Sequence, residues 1–172
     1  MNTFSPTQPE EEQAALHALV GHLSAGLVSR DIKIATVESC TGGGVAALLT
    51  NLAGSSTWFD RGFVTYSNAS KVEMVGVDAA TLAQYGAVSE QVAAEMAQGG
   101  VNHSDAQCAL SITGIAGPGG GNEDKPVGMV CFAWAGFREQ PITRIKYFQG
   151  DRPAVRAQSV YFSVQGVVEL LT

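Results

Sequence analysis

The residues that most limit the folds open to this chain are three short apolar runs, each ending abruptly in small residues. Ile32 to Val37 runs into Glu38-Ser39-Cys40-Thr41 and three glycines, Gly42 to Gly44. Gly62 to Tyr66 runs into Ser67-Asn68, and Gln107 to Ile112 runs into the glycine-dense stretch Thr113–Gly121. Runs of this length and character predict strands. Between the first two, Val45, Leu48, Leu49 and Leu52 recur at helical spacing. Between the second and third, Ser67-Asn68 caps a helix running to about Val75, and Ser89 and Glu90 open a longer one to about Val101. Amphipathic helices are also predicted over residues 9–29 and Asp151 to Leu171. Val127 to Trp134 and Thr143 to Phe148 are two further strands, joined by a short connection and therefore antiparallel. Strands that alternate with helices and then close in a hairpin predict an α/β fold, a three-layer α/β/α sandwich. Its sheet would be mixed, mostly parallel and of about five strands. At 172 residues the chain suits one domain, expected over 9–172 after a disordered tail at 1–8.

Charge and cysteine usage exclude several function classes. The net charge is −6, a poor match to a nucleic acid polymer or an anionic membrane. The bases are unevenly placed: five of the ten lie between Arg138 and Arg156, opposed only by Glu139 and Asp151. Residues 39–59 carry no charge over 21 positions, but the Gly, Ser, Thr and Asn among them suit soluble core and turns rather than a membrane span. The N-terminus lacks a basic and an apolar signal region. Cys40, Cys108 and Cys131 are odd in number and far apart, with no metal-ligand spacing. The expectation is a cytoplasmic chain with no disulfide and no metal.

Three segments could carry chemistry. In the strand–ESCTGGG–helix segment, Ser39 would stand beside backbone N–H groups and the positive end of a helix. The turn alone is equally compatible with Ser39 or Thr41 capping that helix. No Lys follows the glycines, so it is not a P-loop, and Val37 stands where a nucleophile elbow has its first Gly. Cys40 is a rival nucleophile, or a small buried residue. In the second segment, Lys71 would fall in the first turn of a helix, where a cation is disfavoured, so its neutral form would be available as a base. The alternative is a solvated surface lysine. The third segment, Thr113–Gly121, follows a strand and could cradle an anion or simply be an exposed loop. Arg152 and Arg156, four apart, share one helix face as a phosphate clamp or as a solvated basic face. His17 and His22 fall on the predicted N-terminal helix and His103 at the end of another, none in a strand–loop segment, which disfavours a Ser-His-Asp triad.

Taken together, ESCTGGGVAALLT (38–50), GSSTWFDRGFVTYSNASK (54–71), GAVSEQVAAEMA (86–97), SITGIAGPGGGNEDKPVG (111–128) and FQGDRPAVR (148–156) resemble the nicotinamide-nucleotide amidases, or NMN deamidases. These match the C-terminal domain of CinA proteins. The larger CinA proteins carry an additional N-terminal domain, so the chain resembles the stand-alone amidase. The resemblance implies hydrolysis of the carboxamide of nicotinamide mononucleotide to nicotinic acid mononucleotide and ammonia. It places the nucleophile on Ser39, the catalytic lysine on Lys71 and a third member on Tyr66. It implies no cofactor, a small nucleotide substrate and a homodimer. Cys40, Thr41, Gly42, Thr113, Gly114 and Arg152 are the expected substrate-contacting residues, with N–H groups near Thr41 and Gly42, or in the Thr113–Gly114 turn, receiving an oxyanion. Two other readings keep the fold: a catalytically silent nucleotide-binding or regulatory domain, and a Ser-Lys amidase for a different small amide.

Overall fold

A computed structural model describes residues 7–172, with side chains from Gln13 onward. Six α-helices and five strands are found among the described residues. In chain order they are α1 (Thr7–Val28), β1 (Ile34–Glu38), α2 (Gly44–Thr50), β2 (Phe59–Val64), α3 (Asn68–Val75) and α4 (Ala79–Tyr85). Then come α5 (Glu90–Asn102), β3 (Cys108–Gly114), β4 (Met129–Ala135), β5 (Ile142–Tyr147) and α6 (Arg152–Leu171). The tail expected at 1–8 falls largely on residues 1–6, outside the described residues, while Thr7 and Gln8 already belong to α1.

The strands form one sheet in the order β2-β1-β3-β4-β5. β1 pairs parallel with β2 and β3, and β4 is antiparallel to both of its neighbours. Four strands therefore point one way and β4 alone runs against them, which is the mixed, mostly parallel sheet expected.

Side-chain size decides which layer each face receives. In β4, Val130, Phe132 and Trp134 turn to the core shared with α1, α2 and α6, where they meet Leu23, Leu27, Val164 and Val167. Met129, Cys131, Ala133 and Ala135 turn the other way, onto Ala93 and Ala97 of α5. Successive strand side chains alternate faces, so large and small residues sort into a bulky core and a close-packed one. On the small face, Val37 meets Val75, Val92 and Met96. Trp134 also donates its indole N–H to Ser163 O at 2.9 Å, which satisfies the one polar atom of that ring.

Three expectations need correction. The helix α4 is additional: it has seven residues, Leu82 is its only buried one, and Asp78 caps it by accepting from Ala80 N–H. So short a segment shows no apolar period. β2 begins at Phe59 and ends at Val64, earlier than the expected Gly62–Tyr66. It is an edge strand with an irregular exposure pattern, so alternation could not fix its register. β3 extends through Thr113 and Gly114, which therefore belong to a strand end and not to the following loop.

Candidate active site

β1 and β3 lie side by side, and the helices joined to them pack on opposite faces of the sheet. α2 follows β1 on the α1/α6 face, whereas β3 is preceded by α5 on the other face. The crevice beyond the carboxyl ends of such strands is where open α/β sheets bind ligands. Here it is a cleft of about 240 Å³, lined by Ser39, Lys71, Thr113, Gly114 and Arg152 among others.

Ser39 is the first residue beyond β1. Its N–H donates to Ile112 O at 2.9 Å, which extends the β1–β3 ladder by one rung and fixes the backbone from which Oγ projects. Gly42 and Gly43 then turn the chain with φ of +60° and +93°, values that residues with a Cβ rarely adopt. Gly43 supplies no side-chain cap to α2. The carboxylate of Glu38 takes that place, accepting from Gly43 N–H at 3.1 Å, Val45 N–H at 3.0 Å and Ala46 N–H at 2.9 Å.

Lys71 arrives from the far side of β1. Ser67 caps α3, as the sequence predicts, and Ser70 completes a capping box with it; Lys71 therefore falls in the first turn. Lys71 is only 1% exposed and Ser39 8%. Lys71 Nζ lies 3.1 Å from Ser39 Oγ, 2.7 Å from Thr65 O and 3.5 Å from Tyr66 O. Among the described residues, ion pairs join only Arg61 to Asp60 and Asp105, so no carboxylate pairs with Lys71. Burial holds the Lys71 pKa below the ordinary lysine value. The expected direction is correct, but its cause is desolvation rather than the helix end. A neutral amine fits the three contacts: two N–H groups for the two carbonyls and a lone pair toward the serine hydroxyl.

Cys40 is 6% exposed, and burial pushes its thiol up to about 11. The nucleophilic form of cysteine is the thiolate, so Cys40 is poorly suited to the role beside Ser39. Tyr66 is 59% exposed, and its ring hydroxyl accepts from Arg152 Nη2 at 3.1 Å. Only its backbone carbonyl approaches Lys71. Arg152 Nη1 donates to Gly117 O at 2.9 Å, so Arg152 bridges the glycine-rich loop and Tyr66 at the cleft rim. Thr113 Oγ1 is engaged with Ala87 O at 2.8 Å.

The expected backbone donors sort themselves. Gly42 N–H donates to Ser39 O at 3.1 Å, and Gly43 N–H to Glu38, so neither is open to a ligand. Thr41 is fully buried, and its carbonyl accepts from Arg156. Ile115 N–H donates to Met129 O, which by alternation turns the N–H of Gly114 away from β4, toward the Ser39 side. Arg156, considered with Arg152 as a phosphate clamp, instead holds the carbonyls of Cys40 at 3.2 Å and Thr41 at 2.8 Å. The sequence reading missed Glu38, though a signal exists: an acidic residue stands just before a turn whose helix has no Ser, Thr, Asp or Asn at its N-cap. Among the described residues no cluster of His, Cys, Asp or Glu could hold a metal ion, and no helix is long and apolar enough to cross a membrane.

The chain is 53% identical over 150 residues to the nicotinamide-nucleotide amidohydrolase PncC of Escherichia coli K12, a match spanning 87% of this chain and 91% of that protein. The crystal structure of the competence/damage inducible protein CihA from Agrobacterium tumefaciens superposes with a TM-score of 0.88 at 36% identity, covering 100% of both chains. A CinA superfamily protein from Klebsiella pneumoniae superposes with a TM-score of 0.85 at 39% identity, covering 91% of this chain and 97% of that one. The sequence pattern of the CinA C-terminal domain is matched over residues 16–171, and the chain belongs to that family.

Proposed function

We propose that this protein hydrolyses the carboxamide of nicotinamide mononucleotide, releasing ammonia and nicotinic acid mononucleotide. The observation that carries the reading is the buried 3.1 Å contact between Lys71 Nζ and Ser39 Oγ, with no carboxylate among the described residues paired to the lysine. The name of the E. coli relative supports the substrate.

In this mechanism neutral Lys71 takes the hydroxyl proton as Ser39 Oγ attacks the carboxamide carbon. The oxyanion that forms is received by the N–H of Gly114 and by those of Cys40 and Thr41. One such donor is worth about 3 kcal/mol in the transition state. The lysine ammonium then gives its proton to the departing nitrogen, the C–N bond breaks and ammonia leaves an acyl-Ser39. Water attacks that ester with Lys71 again accepting the proton; the C–Oγ bond breaks, Lys71 returns the proton to Ser39 Oγ, and the acid product departs. The cleft accommodates the carboxamide end of the substrate, while ribose and phosphate extend over the rim toward Tyr66 and Arg152. Tyr66 serves there through its hydroxyl bond to Arg152, not as a proton relay.

Purified protein is expected to release ammonia from the nucleotide, and Ser39→Ala to reduce that release to background. Full activity in Ser39→Ala would refute the nucleophile, and tight nucleotide binding by wild-type protein without ammonia would favour the binding-domain reading.

A further inference from the structure

Two charged side chains hold the Ser39–Gly43 turn, and neither has a part in the steps above. Glu38, itself 1% exposed, accepts three N–H bonds from Gly43, Val45 and Ala46. From α6, Arg156 donates Nε to Cys40 O and Nη2 to Thr41 O, 116 and 115 residues away in sequence. A trans peptide holds its C=O and N–H antiparallel. Fixing the Cys40 carbonyl toward Arg156 therefore aims Thr41 N–H the other way, and fixing Ser39 O on Gly42 N–H does the same for Cys40 N–H.

We propose that Glu38 and Arg156 are positioning residues of the reaction, which together set the direction of Ser39 Oγ and of the Cys40 and Thr41 N–H groups. The proposal rests on reading Ser39 as the nucleophile. It also separates the two arginines: Arg152 faces the substrate phosphate, whereas Arg156 works through the turn.

The test uses Glu38→Gln, Arg156→Gln and the milder Arg156→Lys in the full chain. Glutamine keeps the shape of Glu38 but offers a donor where an acceptor is needed. Steady-state kinetics are measured on the nucleotide and on the corresponding nucleoside lacking phosphate. Phosphonylation of Ser39 Oγ by a fluorophosphonate, with loss of fluoride, is followed by intact mass, and amide hydrogen exchange is read at residues 43–46. Misplacement of a reacting group by about 1 Å costs roughly 100-fold. Both glutamine variants should lose kcat on that scale with both substrates, with KM little changed, slower Ser39 labelling, and, for Glu38→Gln, faster exchange at residues 43–46 while β3 and β4 stay protected. Arg156→Lys should fall between. Wild-type kcat and labelling in folded variants would overturn the proposal. So would a rise in KM for the nucleotide alone in Arg156→Gln, which would make Arg156 a phosphate ligand. If wild-type protein yields no ammonia but Ser39 is labelled, and more slowly in the variants, the positioning role stands and the substrate assignment fails. If Ser39 is never labelled, both fail.

Discussion

A lysine with carbonyl and hydroxyl partners and no carboxylate has a strong reason to be neutral. In water the ammonium is fully solvated; beside Ser39, Thr65 and Tyr66 it is 1% exposed. Activity should therefore rise with pH through the lowered Lys71 pKa and reach a plateau before the ordinary lysine value of about 10.4. An acid limb at the ordinary lysine value would show that burial does not tune the base. Lys71→Arg should be inactive across the whole range, because a guanidinium does not deprotonate. The stability sign follows from the same shift. Between the lowered pKa and about 10.4 the unfolded chain binds the extra proton, so folded stability gains with rising pH. Thermal unfolding of wild type, compared with Lys71→Met across that window, should show the gain in wild type alone. Ser39 and Lys71 were legible as candidates because each stands at a strand–turn–helix junction. Glu38 was not, and Arg156 was legible only as a phosphate clamp, because their partners depend on a carboxylate folding back on its own turn and on an arginine arriving from the far end of the chain.

Elements are placed here by how closely their backbones can approach. Gly99 on α5 lies against the end of α3, where an added Cβ would stand 1.9 Å from Val75 O. Nothing flexible is there to yield, since the neighbour is a carbonyl at the helix terminus. Gly99→Ala should therefore push α5 and α3 apart and destabilise the fold by about 1–3 kcal/mol, the usual cost of overpacking. Because α3 carries Lys71, the same change should lower kcat in the protein that remains folded. Denaturant unfolding alongside kinetics checks both, and an unchanged midpoint would show that the two helices adapt without strain. The sequence displays α5 well, through Ser89, Val92, Ala93 and Met96. Its glycines carry no periodic signal, so the crossing they permit was not readable. α4 escaped for a related reason: a helix with one buried residue is held by its cap and by Glu95, which accepts from Asp78 N–H and Thr81 Oγ1.

At the scale of the whole molecule, topology and charge point to the same place. At the β1–β3 boundary the helices α2 and α5 lie on opposite faces, which leaves a crevice at the carboxyl ends of those strands, and the chain returns α6 there with Arg152 in its first turn. The excess of bases between Arg138 and Arg156 sits in a chain of net charge −6, so attraction for an anion is local rather than global. Within that tract Arg152 alone lines the cleft. A ligand that uses both the Ser39 end and the Arg152 rim should stabilise the fold as one unit, since binding to the folded state alone raises stability by mass action. Nicotinic acid mononucleotide is a suitable probe because no amide remains to be cleaved. At about 100 times its dissociation constant it should raise Tm by about 5–10 °C for a domain of this size. Nicotinate, which lacks the ribose phosphate, should leave Tm unchanged at the same concentration, and Arg152→Ala should lose most of the nucleotide's shift without losing the fold. Equal shifts from nicotinate and the nucleotide would mean that recognition ends at the ring, and that Arg152 serves only to tie the glycine-rich loop to Tyr66.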